Sequence, residues 1–140
     1  MPEPRSIAFN GDRKAYVVLP HDRSGSMRLI AGLHGVCNPP EYACGYWISA
    51  AAHRGLLVCS EGNARCGSAM NGAPTWTQGA SRIDGDLEAA IAAVNAELPG
   101  LSTRDGAILM GFSKGAYGAV KIAAAHPTRW PHLVLIEANV

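Results

Sequence analysis

Residues 111–115 read Gly-Phe-Ser-Lys-Gly, directly after the apolar run Ala107–Met110 and directly before a stretch rich in small residues, Gly115, Ala116, Gly118 and Ala119. A buried strand that runs into a helix through a glycine-flanked serine constrains the chain more than any other segment. The turn must be sharp, and glycines flank it because little room is left there for Cβ atoms. The serine side chain is pushed outward at a helix N-terminus. That is the sequence form of a nucleophile elbow, and it points to acyl chemistry at Ser113. A serine hydroxyl is a poor nucleophile at neutral pH, so it needs a base and donors for the oxyanion that forms. The backbone N–H of Lys114 is one natural donor, and the Lys114 side chain is expected to face solvent.

The rest of the chain alternates. Strand-like runs lie at 15–19, stopped by Pro20, then at 28–33, 56–59, 107–110 and 133–136. Helical patterns cover 46–53, 84–98 and the stretch from the elbow to about Ala125, and Ser102–Asp105 reads as a connector. Asp84, Asp86 and Glu88 fall in the first turns of the second helix, where a helix dipole favours acids. Such alternation implies right-handed crossovers and a parallel sheet with helices on both faces. Residues 60–82 are loop-like, with Gly62, Gly67, Gly72, Pro74 and Gly79, and carry Asn63, Trp76 and Gln78. Long irregular stretches of this kind are often functional. Trp76 suits either a substrate pocket or packing over a helix.

A second oxyanion donor is expected from the loop after an earlier strand. Leu33-His34-Gly35-Val36 is placed for it, with the backbone N–H of Gly35 or Val36 as the donor. With these residues on the page, the chain resembles the α/β-hydrolase family across about residues 14–137. It is most similar to polyhydroxybutyrate-depolymerase and feruloyl-esterase types, which have cysteine-bearing loops after the early strands. The resemblance implies a three-layer α/β sandwich with a parallel sheet. Residues 1–140 would form a single domain, incomplete at the C-terminal end and stopping after the strand that follows the nucleophile helix. It also implies hydrolysis of carboxylic esters of a small molecule or a polymer, without a cofactor.

The family's triad runs Ser, then Asp or Glu, then His. That order explains why His34, which precedes the serine, is expected to order its loop rather than act as base. After Ser113 the acid is Glu137, and His126 and His132 both precede it. His126, before Pro127, is expected to cap or pack a helix end. His132 should stand at the opposite end of the sheet from the elbow, because ligands bind at the carboxyl ends of parallel strands. His21 and His53 read as surface residues. Glu137 closes a strand on the correct edge and is the candidate acid. Ser113 is therefore expected to be one member of a triad whose other members are not on this chain, and the chain alone should turn over little or no ester. The alternative is a non-catalytic binding or interaction module that retains a relic elbow.

Composition closes off other classes. With 140 residues, 48% hydrophobic and 16% charged, the chain can bury one core. A net charge of +1 without a basic cluster argues against nucleic acid as partner. No apolar run reaches the roughly 20 residues of a membrane span, and no signal peptide is visible at Met1–Arg5. Four cysteines, Cys37, Cys44, Cys59 and Cys66, lack C-x-x-C spacing, so a structural zinc is not expected. Two disulfides, in any of three pairings, suit an exported or periplasmic protein, whereas buried thiols would suit a cytosolic one. The hydrophobic strand Leu133–Ile136 would form a sheet edge, and edges of that kind invite self-association.

Overall fold

The computed structural model describes residues 3–20, 25–51, 54–67, 72–77 and 79–137, and for residues 3, 4, 43 and 46–50 it describes the backbone alone. His21, His53 and Gln78 lie outside the described residues. The elements in chain order are β1 (Glu3–Phe9), β2 (Arg13–Leu19), β3 (Met27–Leu33), α1 (Pro40–Ala51), β4 (Leu56–Ser60), β5 (Ala64–Arg65) and β6 (Pro74–Thr75). They continue as α2 (Ala80–Glu97), β7 (Ser102–Phe112), α3 (Lys114–Ala125) and β8 (His132–Ile136).

Six strands form the main sheet in the order β1-β2-β4-β3-β7-β8. Strands β4, β3, β7 and β8 run parallel, while β2 is antiparallel to both β1 and β4. The two-residue period of a strand sends alternate side chains to opposite faces. Val17, Leu29, Ala31, Leu33, Val58, Ala107 and Leu109 pack on one face against Ile83, Leu87, Ala90, Ile91 and Val94 of α2 and Ala119 and Ile122 of α3. Val18, Ile30, Leu57, Cys59 and Met110 pack on the other face beneath Cys44 and Ala51 of α1. The result is three layers, a mostly parallel sheet with helices on both sides.

Several boundaries differ from the sequence expectation, each for a physical reason. The polar, proline-containing Glu3–Phe9 segment forms β1 because it lies on the sheet edge, paired only with β2, where proline is tolerated. The turn to β2 uses Asn10 and Gly11 at φ 47° and 88°, the left-handed region that glycine enters freely. Helix α1 begins at Pro40, which suits the first helical position. Ser102–Asp105 is not a connector. It is the first part of β7, with Met27 and Arg28 opposite Ser102 and Thr103, and the register shifts between Arg28 and Ile30. Gly106 sits in that irregularity at φ 70°.

Helix α2 begins at Ala80, so no acid lies in its first turn. Asp84, Asp86 and Glu88 instead face basic side chains. Asp84 meets Arg129 at 3.1 Å and His126 at 3.3 Å, and Glu88 meets Arg104 and Arg129. Asp86 is buried and meets Arg13 of β2 at 3.1 Å and Arg82 at 3.4 Å. The glycine-rich 60–82 stretch is not wholly irregular, since β5 and β6 pair within it as a small antiparallel ribbon. Two disulfides form among the four cysteines, Cys37–Cys66 and Cys44–Cys59. Among the described residues no helix is long and apolar enough to cross a membrane.

Candidate active site

The parallel strands β3, β7 and β8 end side by side at Leu33, Phe112 and Ile136, and the chain turns at Ser113 on that edge. Ser113 has φ 52° and ψ −116°, a left-handed, strained conformation for a residue with a Cβ. Its N–H donates to the Ile136 carbonyl at 2.9 Å, and its own carbonyl accepts from the Ala116 N–H at 2.9 Å. The flanking glycines are required by close approach. A Cβ on Gly111 would lie 2.5 Å from Ala116 Cα, and one on Gly115 would lie 2.5 Å from the His34 carbonyl oxygen. The elbow is thereby pressed onto the end of β3. Lys114 opens α3 with its side chain exposed, and in a first turn its N–H has no intrahelical acceptor.

The same contact brings the Leu33-His34-Gly35-Val36 segment against the elbow. A Cβ on Gly35 would meet the Phe112 ring at 3.1 Å. Val36 is half exposed and Gly35 is buried. The His34 imidazole is fully buried, and both ring nitrogens are engaged. Nε2 accepts the Gly62 N–H at 2.8 Å, so the neutral ring carries its proton on Nδ1, which donates to the Gly35 carbonyl at 2.7 Å. Burial pushes the imidazole down to about 4, with the Arg13 charge adding to the drop and the Gly35 hydrogen bond opposing it. Trp76 stacks on this ring with centroids 4.9 Å apart, and its indole Nε1–H donates to the His34 carbonyl at 2.8 Å. The sequence leaves Trp76 between pocket and packing. The structure buries its ring against His34, with one part lining a shallow cavity of about 150 Å³ between α2 and α3, beside Lys114 and Tyr117.

The other candidates are spread out. Glu137 follows β8 immediately, exposed and at φ 53°, one residue from the carbonyl that Ser113 binds. His126 ends α3, about 18 Å along the helix from the elbow, and faces Asp84. His132 begins β8 at its far end, roughly 13 Å from the elbow, and is exposed. No group of three or more side chains suited to a metal stands together among the described residues.

The sequence names Gly62 and Asn63 only as members of a long stretch of a kind that is often functional and does not single out Glu61; the partners of all three come from the structure. Gly62 is tightly enclosed, since a Cβ there would run into the Thr75 carbonyl and reach 3.0 Å from His34 Nε2. Asn63 mimics a strand partner, accepting the Thr77 N–H and donating to the Thr77 carbonyl, both at 2.7 Å. Glu61 sits beside Arg65 and Arg13; burial raises its carboxyl above the usual range and the two cations oppose that. The Glu61-Gly62-Asn63 sequence carries a turn signal, but nothing in it marks His34 as the partner.

No family model matches this sequence, and no curated protein matches it. Solved structures do. A carboxyl esterase from Bacillus coagulans superposes with a TM-score of 0.63 at 16% identity, covering 96% of this chain and 43% of that one. An epoxide hydrolase from Vigna radiata gives a TM-score of 0.58 at 18% identity, covering 99% of this chain and 41% of that one. Epoxide hydrolase A from Mycobacterium thermoresistibile gives 0.58 at 17% identity, covering 96% and 39%. The chain thus spans about two fifths of the length of the structures it matches, and the fold it shares with them is that of the α/β hydrolases.

Proposed function

We propose that this chain, built on the α/β-hydrolase fold, carries the nucleophile and oxyanion-binding half of a serine hydrolase acting on carboxylic esters. The observation that carries the reading is the strained Ser113 at the strand-to-helix turn, set against the Gly35–Val36 loop by the close approach of Gly115 to β3. In this reading Ser113 Oγ attacks the ester carbonyl and its proton passes to a base. The backbone N–H of Lys114 and that of Gly35 or Val36 hold the oxyanion. The tetrahedral intermediate then collapses, the alcohol leaves with that proton, and water later frees the acid from the serine. His34 orders the donor loop. Its two nitrogens are bonded within the fold, which supports an ordering role over that of base. Glu137 is the candidate acid. The base is missing or comes from elsewhere, a reading supported by the engagement of His34 within its loop and of His126 with Asp84. The substrate is a small or polymeric ester of the kind handled by polyhydroxybutyrate-depolymerase and feruloyl-esterase types, a placement supported by the cysteine-bearing loops.

Without its base the chain alone is expected to cleave an activated ester slowly, since oxyanion binding leaves a residual acceleration of about 10³–10⁴ over water when triad members are removed. Ester turnover by the chain beside its Ser113→Ala variant tests this. The reading expects slow turnover that the substitution removes. Turnover indifferent to Ser113→Ala would overturn the nucleophile, and fast turnover would overturn the missing base. The engagement of His126 with Asp84 and of His34 within its loop favours one other reading, a binding module with a relic elbow. That module would show no serine-dependent turnover at all.

A further inference from the structure

The Gly62–Thr77 segment, with its small β5–β6 ribbon, makes an unusual set of bonds to the loop after β3. The Gly62 N–H holds the His34 ring at 2.8 Å, the Trp76 indole holds the His34 carbonyl at 2.8 Å, and the Asn38 N–H donates to the Pro74 carbonyl at 3.0 Å. The Cys37–Cys66 disulfide ties the same two segments covalently. Asn63 then clamps Thr77, the neighbour of Trp76, through both of its backbone groups. These bonds enclose the two peptide units that carry the Gly35 and Val36 N–H groups.

We propose that Trp76 is a positioning residue, whose indole N–H, braced through Asn63 and Thr77, holds the donor loop in register with Ser113. The proposal rests on the reading of that loop as the oxyanion donor. The argument is geometric. A trans peptide is planar, so the carbonyl of one residue and the N–H of the next move as one rigid unit. Fixing the His34 carbonyl therefore fixes the direction of the Gly35 N–H. The His34 ring does the same for the next unit, since its bond to the Gly35 carbonyl sets the direction of the Val36 N–H. Donors for an oxyanion act through fixed direction, because reorientation during reaction is what preorganisation avoids. Trp76 is 1% exposed, so no water competes for the His34 carbonyl while the indole is in place. A tryptophan serving only as core filler would not need its one polar hydrogen aimed at this carbonyl. Trp130 supplies the contrast, buried at 3% exposure with an indole N–H that meets no acceptor.

The test is Trp76→Phe in the full chain, which keeps an aromatic ring against His34 and removes the donor. Trp130→Phe is the control for losing a buried indole elsewhere. Two quantities are read: the rate of Ser113 labelling by a fluorophosphonate, and the backbone ¹⁵N order parameters of Gly35 and Val36. Trp76→Phe is expected to slow labelling tenfold or more and to bring the two order parameters from rigid values near about 0.85 toward about 0.6, while Trp130→Phe changes neither. Labelling at the wild-type rate, with Gly35 and Val36 as rigid as before, would overturn the proposal. If the wild-type chain is not labelled, the nucleophile reading is what fails. The order parameters then still decide whether Trp76 braces the loop.

Discussion

At the scale of single residues, His34 carries the clearest energetic signature. It is buried, neutral and bonded through both nitrogens, and its pKa is pushed from the ordinary value near 6.5 to about 4. A histidine whose folded pKa is depressed binds fewer protons folded than unfolded. Its contribution is complete above the unfolded value and is lost as pH falls toward the folded one. The window is therefore about pH 6.5 down to about pH 4, and the loss across it is of the order of 3 kcal/mol. Glu61, whose pKa is raised by burial, acts in the opposite sense, because its folded form retains a proton longer. Urea midpoints measured across the window should fall with pH in the wild type. They should fall less in His34→Gln, whose amide oxygen can still accept the Gly62 N–H but does not titrate. An unchanged slope in that variant would show that His34 is not the titrating group.

At the scale of elements, the legible parts of the chain are those whose signal is local. The elbow is written in two glycines and a serine, and the structure supplies the reason for each glycine, an atom within 2.5 Å of where its Cβ would be. The parallel strands around 28–33, 56–59 and 107–110 read as apolar runs because both their faces are covered by helices. Strand β1 is not legible, since an edge strand with one partner needs neither alternation nor β-branched residues. The start of α2 is misplaced for a related reason. Ala80–Ile83 lacks a strong cap, and the acids that look like dipole partners are held by Arg13, Arg104 and Arg129 from distant parts of the chain. The brace of Gly62, Asn63 and Trp76 is also invisible in sequence, because each of its bonds joins residues 14 or more positions apart. Strand β8 carries a prediction of its own. It lies on the sheet edge, with Leu133 and Val134 at 36% and 39% exposure. Unpaired apolar edges template pairing with other chains, so the chain should self-associate at high concentration, and Val134→Lys should reduce it. Light scattering that finds a clean monomer at all concentrations would count against this.

At the scale of the whole molecule, the carboxyl end of the parallel strands gathers the residues that the proposed chemistry uses on this chain. Strand β7 leads into Ser113, β3 leads into the proposed donor loop at Gly35 and Val36, Glu137 follows β8, and the segment that carries β5 and β6 bonds to the loop after β3. The two disulfides lie at this end of the sheet, one tying the loop after β3 to the ribbon segment and the other tying α1 to β4. Among the described histidines, His126 faces Asp84, His34 is bonded within its loop, and His132 stands at the far end of β8. The central claim is that Ser113 is a poised nucleophile. Its most direct test is prolonged exposure of the intact chain to a fluorophosphonate, followed by peptide mapping, with Ser113→Ala alongside. The account predicts a single adduct, on Ser113, absent from the variant. A chain that stays unmodified, or one modified equally with and without Ser113, would contradict it.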